Sequence, residues 1–325
     1  MIIVTGGAGF IGSAIVWKLN QMGRDDIIIV DRFGEDDKWQ NLVGLKFTDV
    51  FDSEAFLEYL THDFLEKAEI DTIFHMGAIS TTTEKNFDNL LRNNYELTKL
   101  LCNQSLQNGV RFIYASSAAT YGAGENGYKD DESEIYKLRP LNGYGYSKQM
   151  FDQWAHHHRI LDKIVGLKYF NVFGPNEYHK GDMRSVIHKS YEQIKSTGVA
   201  RLFKSTVEGL DDGEQKRDFI YIKDAVDMTV NFMDNRIVNG LYNIGTGNAT
   251  SFNAFVNAIF KSLDMEPNIE YYDMPDELVD KYQNITQADM TKLKDTGYNL
   301  KTTPIDEAVG DYVKNYLDTD NQYLH

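Results

Sequence analysis

A doubly wound α/β fold, a parallel sheet of the dinucleotide-binding (Rossmann) type with a smaller, interleaved C-terminal substrate-binding part, is predicted by three observations. Short β-branched runs alternate with longer polar and apolar segments through the first half. A glycine-rich turn directly follows the first run, and the second run ends in an acid, Asp31. Alternating strand and helix implies parallel neighbours, because each crossover lays a helix on the sheet and buries both faces.

The elements follow in order. Ile2 to Thr5 reads as the first buried strand, the turn Gly6 to Gly12 follows, and Ser13 to Met22 has a helical pattern. Ile27 to Val30, Thr72 to His75, Arg111 to Ala115 and Ile164 to Tyr169 are the next strands, each rich in β-branched or aromatic residues. After Phe173-Gly174-Pro175, a turn signal, regularity weakens into the polar segment Asn176 to Arg184. The boundary is placed near Val172, giving a dinucleotide-binding part over 1–172 and a substrate-binding part over 173–325. Helical patterns cover Ser185 to Gly198 and Ser251 to Leu263, a loop rich in Asp, Glu and Gly runs from Val207 to Lys216, and Asp306 to Tyr316 closes the chain. Two strand-like islands, Asp218 to Ile222 and Leu241 to Ile244, are expected to bring 218–224 and 241–247 back to the first part.

Composition narrows the function. The 325 residues are 42% hydrophobic and 25% charged, enough for a large buried core. With 33 Lys+Arg against 49 Asp+Glu the net charge is −16, a field that repels nucleic acid and anionic membranes. No apolar run approaches the roughly 20 residues of a membrane span, and no export signal is visible in MIIVTGGAGFIGS. One cysteine, Cys102, forms no intramolecular disulfide, so a reducing, cytoplasmic setting is expected. His156, His157 and His158 are consecutive and point in different directions on a helix; no metal is expected.

In the first turn, Gly6, Gly9 and Gly12 permit a tight bend, close approach to a pyrophosphate and close helix packing, and the helix start offers free N–H groups to phosphate. Asp31 stands at the spacing of a ribose-binding carboxylate, which alone favours NAD. Arg32 and Lys38 follow, and either cation would neutralise a 2′-phosphate, so NADP is expected ahead of NAD; a merely solvated charged loop is the bland alternative. Tyr144 and Lys148 are four apart, on one face if a helix starts here, and an ammonium beside a phenol favours phenolate. Ser116 and Ser117 end the strand that begins at Arg111, beyond whose carboxyl end ligands sit in open α/β sheets.

These strings resemble the extended short-chain dehydrogenase/reductase superfamily over nearly the whole chain, including Arg217 to Asp224 and Tyr242 to Gly247. Within it the sequence is similar to the ADP-heptose 6-epimerase family, on Tyr114 to Gly122, Tyr169 to Pro175, His179-Lys180-Gly181, Tyr282-Gln283 and Thr286-Gln287-Ala288-Asp289. The resemblance implies an isomerase that epimerises ADP-D-glycero-D-manno-heptose at C6 by transient oxidation with bound NADP, feeding lipopolysaccharide core heptose synthesis. It implies Tyr144 as one acid/base, Lys148 holding the nicotinamide ribose, Ser117 bonding the reacting oxygen, and Lys180 as a second acid/base on the opposite face. By spacing alone Lys180 is a surface cation.

The same resemblance implies cofactor contacts at Phe10, Ile11, Asp31, Arg32, Lys38, Met76, Gly77, Ala78, Ile79, Ser80, Asn93, Lys148, Val172 and Lys180. It implies substrate contacts at Ser117, Asn171, Phe203, Arg217 and Tyr282, and at Asp182 and Lys189, where the family has serine and histidine. Arg217 suits a diphosphate because a guanidinium holds two oxygens at once; its bland alternative is an ion pair with Asp218 or Glu214. Ser53 replaces a family lysine at an adenosine-phosphate contact, and the 207–216 loop is longer and more acidic than the family's. The resemblance also implies a homo-oligomer, as a pentamer. Alternatives are a nucleotide-sugar epimerase or dehydratase acting at C4, or a non-catalytic dinucleotide-binding regulator. Ala118-Ala119 stands where a dehydratase needs an acidic pair, and retention of Ser117, Tyr144 and Lys148 opposes the regulator.

Overall fold

A computed structural model describes residues 1–60, 63–275 and 283–325. Among the described residues twelve strands run in the order β1 (Ile2–Thr5), β2 (Ile27–Asp31), β3 (Asp49–Asp52), β4 (Thr72–His75), β5 (Arg111–Ser117), β6 (Val165–Tyr169), β7 (Asn171–Phe173), β8 (Ala200–Phe203), β9 (Lys216–Tyr221), β10 (Gly240–Ile244), β11 (Ala249–Ser251) and β12 (Ile269–Tyr272). Seven form one sheet in the order β10-β6-β5-β4-β1-β2-β3, every pair parallel. The strand order reverses between β1 and β4, the switch point at which open α/β sheets bind ligands.

Alternation along β1 shows how the sheet is buried. Ile2 and Val4 enter one core with Phe10, Ile15 and Leu19 of the following helix, while Ile3 enters the opposite core with Phe112, Tyr114 and Phe151. Side chains of successive strand residues point to opposite faces, so a strand covered on both faces has to be apolar throughout.

The helix after the glycine turn spans Phe10–Gln21, starting three residues before the expected Ser13. Gly9 caps it from extended backbone, and the Ser13 N–H already donates to the Gly9 carbonyl at 3.0 Å. Gly12 therefore lies within the first turn. A Cβ there would stand 2.0 Å from the Gly6 carbonyl oxygen, so only glycine lets helix and turn pack. Val186–Thr197 and Phe252–Ser262 are helices as expected, capped by the Ser185 and Ser251 side chains.

Two expectations about strands change. β3 is an edge strand whose Asp49, Val50 and Asp52 are exposed, so it lacks the buried pattern by which the others were read. Leu241–Ile244 joins the large sheet beside β6, but Asp218–Tyr221 does not. It pairs with β7 and β11 in a separate three-stranded sheet, because Asp218 is drawn to the 246–288 backbone described below. β8 and β12 form a third, two-stranded parallel sheet. Among the described residues no helix is long and apolar enough to cross a membrane.

Candidate active site

The glycine turn meets the end of β4. Gly6 has φ +64°, and a Cβ on it would lie 2.7 Å from the Gly77 backbone, so Met76 and Gly77 pass directly against the turn, with Ala78, Ile79 and Ser80 following in the chain. Thr5 and His75 pin the two strand ends, Oγ1 to Nδ1 at 2.7 Å, and Gly77 N–H donates to the same hydroxyl at 3.2 Å. Burial pushes the His75 imidazole down to about 3, so this pin is neutral. Gly9, Phe10 and Ile11 open a helix with no side-chain cap bond and no acidic residue in its first turn. Its leading N–H groups are left to an anion.

At the end of β2, Asp31 is buried and fully engaged. One oxygen accepts the Ala8 N–H at 2.8 Å; the other accepts the Arg32 N–H at 2.7 Å and the Lys38 ammonium at 3.0 Å. The Arg32 guanidinium is exposed, 3.2 Å from Glu54. Ser53 opens the neighbouring helix Ser53–Leu60.

The Asn93 amide donates back to Asn89 at 2.9 and 3.0 Å. Its neighbour Asn94 is buried instead. Its Oδ1 accepts the Ile79 N–H at 2.8 Å, and its amide donates to the Ile79 carbonyl and to Ser147 Oγ, each at 2.9 Å. Both asparagines lie in the π-helical turn Leu91–Glu96.

Tyr144 and Lys148 lie in the helix Gly143–His157, Tyr144 in its first turn and half-buried. Burial pushes its phenol above the ordinary tyrosine range, and a hydrogen bond with the Ser117 hydroxyl opposes the rise. Loss of solvent sets the direction, against the lowering expected from Lys148. Ser117, which ends β5, also accepts the Ala119 N–H at 3.1 Å.

Lys148 is buried, and burial pushes its ammonium down to about 8 against an opposing pull from Asp152. Among the described residues nothing accepts a hydrogen bond from it. Beneath the pair, Asp152 accepts from Tyr114 at 2.8 Å and from Ser116 and Lys168 at 2.7 Å each. This buried network fixes the helix to β5 and β6.

Lys180 belongs to the 3₁₀ segment Tyr178–Met183. It sits in the loop after β7, its ammonium 5.2 Å from the Phe10 ring centroid. Burial lowers it below the ordinary lysine value, while Glu177 pulls upward. Glu177 is wholly buried and takes the Ser185 hydroxyl at 2.7 Å and the Tyr312 hydroxyl at 3.0 Å.

The remaining sequence-selected residues scatter along the rim. Asn171 is exposed at the start of β7 and Val172 is half-buried beside it. Phe203 ends β8 against Tyr272, ring centroids 4.9 Å apart. Arg217 is buried, its guanidinium 5.7 Å from the Phe252 ring centroid, with Nη1 donating to the Lys216 carbonyl. Asp182 is exposed, and its carbonyl accepts from Lys189. Tyr282 lies outside the described residues.

Several structural determinants were not singled out from sequence. Asp218 takes N–H groups from Thr246, Gly247 and Ala288 at 2.8 to 2.9 Å, which seats the Thr286 to Asp289 string. Asn41 and Asn176 fasten the Lys180 loop to the glycine turn, as set out below.

The comparisons agree with this geometry. Residues 2–245 match the NAD dependent epimerase/dehydratase family. The chain is 50% identical over 324 residues, covering 100% of both chains, to an ADP-L-glycero-D-manno-heptose-6-epimerase of Nitratidesulfovibrio vulgaris strain DP4. It is 47% identical over 334 residues, again over 100% of both, to the protein of that name in Fusobacterium nucleatum. The crystal structure of Helicobacter pylori ADP-L-glycero-D-manno-heptose-6-epimerase superposes with a TM-score of 0.79 at 28% identity, covering 97% of this chain and 95% of that one. With the seven-stranded parallel sheet, the open helix start and the paired Tyr144 and Ser117 in place, the chain belongs to the NAD dependent epimerase/dehydratase family, in its ADP-L-glycero-D-manno-heptose-6-epimerase group.

Proposed function

We propose that this enzyme inverts C6 of the heptose in ADP-D-glycero-D-manno-heptose, with NADP as resident cofactor. What supports the reading is that two proton-transfer groups sit beside sheet and turn features of the dinucleotide fold. Tyr144 comes with Ser117 from the β5 side, and Lys180 comes over Phe10 from the β1 side.

A dinucleotide fits the residues present. The bare helix start after Gly9 would take the pyrophosphate, and the close backbone of Gly6 and Gly77 leaves room no side chain would allow. The unpartnered Lys148 ammonium would take the nicotinamide ribose, and Lys38 and Arg32 the 2′-phosphate. When bound, the nicotinamide supplies a hydride acceptor that becomes the donor on the return.

The protein residues handle protons. Lys180, which burial lowers below the ordinary lysine value, suits removing the C6 hydroxyl proton as the carbon becomes a ketone. Tyr144, raised by burial, is a protonated phenol, which suits returning a proton to the oxygen after the ketone has presented its other face. Ser117 is placed to hold that oxygen beside the phenol. One fixed group serves one face, so inversion is served by two.

Residues 1–172 take the dinucleotide in this reading and 173–325 most of the sugar contacts, with β10 returned to the large sheet. Arg217 takes the diphosphate, and Asn171, Phe203, Asp182, Lys189 and Tyr282 belong to the sugar side. We place the chain in the cytoplasm as a homo-oligomer, which light scattering of the purified protein tests. The function itself is tested by supplying ADP-D-glycero-D-manno-heptose to purified protein and resolving the C6 epimers. An equilibrium mixture with no net change in cofactor redox state is expected; unchanged substrate in the presence of bound cofactor overturns the reading.

A further inference from the structure

The loop bearing Lys180 has no continuous helix: residues 178–183 form short 3₁₀ turns broken at Gly181, which has φ +53° and whose carbonyl accepts from Arg184 Nε at 2.9 Å. A proton-transfer group needs better, since a misplacement of about 1 Å can cost about 10²-fold in rate. Further support comes from residues 322–325. Leu324 is buried in the main core, and its N–H donates to Asn176 Oδ1 at 3.0 Å.

Asn176 is a buried hub. Its Nδ2 donates to Ser13 Oγ in the phosphate helix at 2.9 Å, and its carbonyl accepts from Asn41 Nδ2 at 3.2 Å. The same Asn41 amide reaches the Ala8 carbonyl of the glycine turn at 2.8 Å and His179 Nδ1 at 3.3 Å. Asn176 holds φ +77°, a conformation asparagine tolerates better than most residues.

Flanking contacts tighten the strap. Tyr178 donates to the Gln322 carbonyl at 2.5 Å, and Tyr323 donates to Gln40 at 2.9 Å. Trp17 Nε1 donates to the His325 carbonyl at 3.1 Å. The segment thus touches the phosphate helix, the loop that carries Lys38 and the loop that carries Lys180.

We propose that residues 322–325, with Asn176 as their hub, are a positioning strap that sets Lys180 against the dinucleotide-binding turn. The catalytic part of this proposal rests on the reading of Lys180 as second base; the mechanical part does not. The strap is cut in two ways in the full chain: removal of residues 323–325, and Asn176→Gly. Glycine keeps the positive φ without strain, so the second variant removes the side-chain hub alone. Leu324→Met is the conservative control.

Hydrogen exchange reads the mechanical part. Amides of 178–184 should exchange about tenfold faster or more in both cut variants, as expected for a loop released to local opening, while β1, β4 and β5 keep their protection. Unchanged exchange at 178–184 overturns the strap whatever the substrate is.

Turnover reads the catalytic part. Each cut should lower kcat by about 10-fold to 100-fold with KM within about threefold, and Leu324→Met should keep the parent's kcat. In a Lys180→Met background the further loss should fall below about twofold, the signature of residues acting as one unit. Equal losses with and without Lys180 would mean general damage to the fold and overturn the positioning role. Full turnover by Lys180→Met itself would sink the two-base reading and leave the exchange result to decide the strap.

Discussion

The Lys38 ammonium lies 3.0 Å from an oxygen of Asp31, the carboxylate at the end of β2, and both groups are largely withdrawn from solvent. An acid in this position, left bare, repels a 2′-phosphate. Paired with Lys38 it presents no net charge, and the exposed Arg32 stands next to it. Its ion pair with Glu54 is of the exposed kind that contributes roughly 0–1 kcal/mol, so the guanidinium is free to turn. Lys38→Ala should therefore weaken NADP binding by about tenfold or more and leave NAD binding nearly unchanged, measured by titration of nucleotide-stripped protein. An unaltered preference would remove Lys38 from the 2′-phosphate site.

Lys148 carries a cost that its function requires. A buried lysine at about 8 instead of 10.5 opposes folding by about 3 kcal/mol at neutral pH in the ligand-free chain. The unfolded chain binds more protons between pH 8 and 10.5, so this cost fades as pH rises through that window. Lys148→Met should accordingly raise the Tm of ligand-free protein at pH 7 and abolish turnover. Dinucleotide affinity should fall as pH rises past about 8, where the ammonium is lost, and be flat with pH in the variant. A Tm lowered by Lys148→Met would contradict the desolvation argument.

Tyr144→Phe and Lys180→Met each remove one proton-transfer group. Each should lower kcat by about 10² to 10⁴ while retaining bound dinucleotide, checked by release on denaturation. If either variant turns over within about twofold of the parent, its assigned role is wrong.

Asp152 and Lys168 test the platform under the site. Replacing Asp152 by Asn leaves the buried Lys168 ammonium unpaired, and breaking a buried pair from one side typically costs about 3–5 kcal/mol. Denaturant unfolding should register that loss. A change below about 1 kcal/mol would mean that water or another acceptor takes the place of Asp152.

How much of this was legible in sequence follows from the range of each interaction. β1, β2, β4, β5 and β6 could be read because burial on both faces makes a strand apolar throughout, and the turn at Gly6 to Gly12 because its constraint is local backbone geometry. Tyr144 and Lys148 announce themselves through helical spacing. Edge strand β3 was missed because its outward residues meet water.

Asn41, Asn176 and Asp218 were missed because their partners lie far along the chain: Asn41 meets Asn176 across 135 positions, and Asp218 meets Ala288 across 70. No periodicity records such pairs. Asn94, whose side chain ties Ile79 to Ser147, was passed over because nothing in the sequence marks the π-helical turn Leu91–Glu96 that carries it. The direction of the Tyr144 shift was misread because spacing reports neighbours and says nothing of burial.

The most direct test uses ADP-D-glycero-D-manno-heptose carrying deuterium at C6, incubated with purified protein in ordinary water and followed by NMR. A hydride taken from C6 and returned to the same carbon predicts the L-glycero epimer with deuterium retained at C6 and no proton from solvent there. Inverted product that has lost its deuterium to solvent, or no inversion at all, would contradict the account.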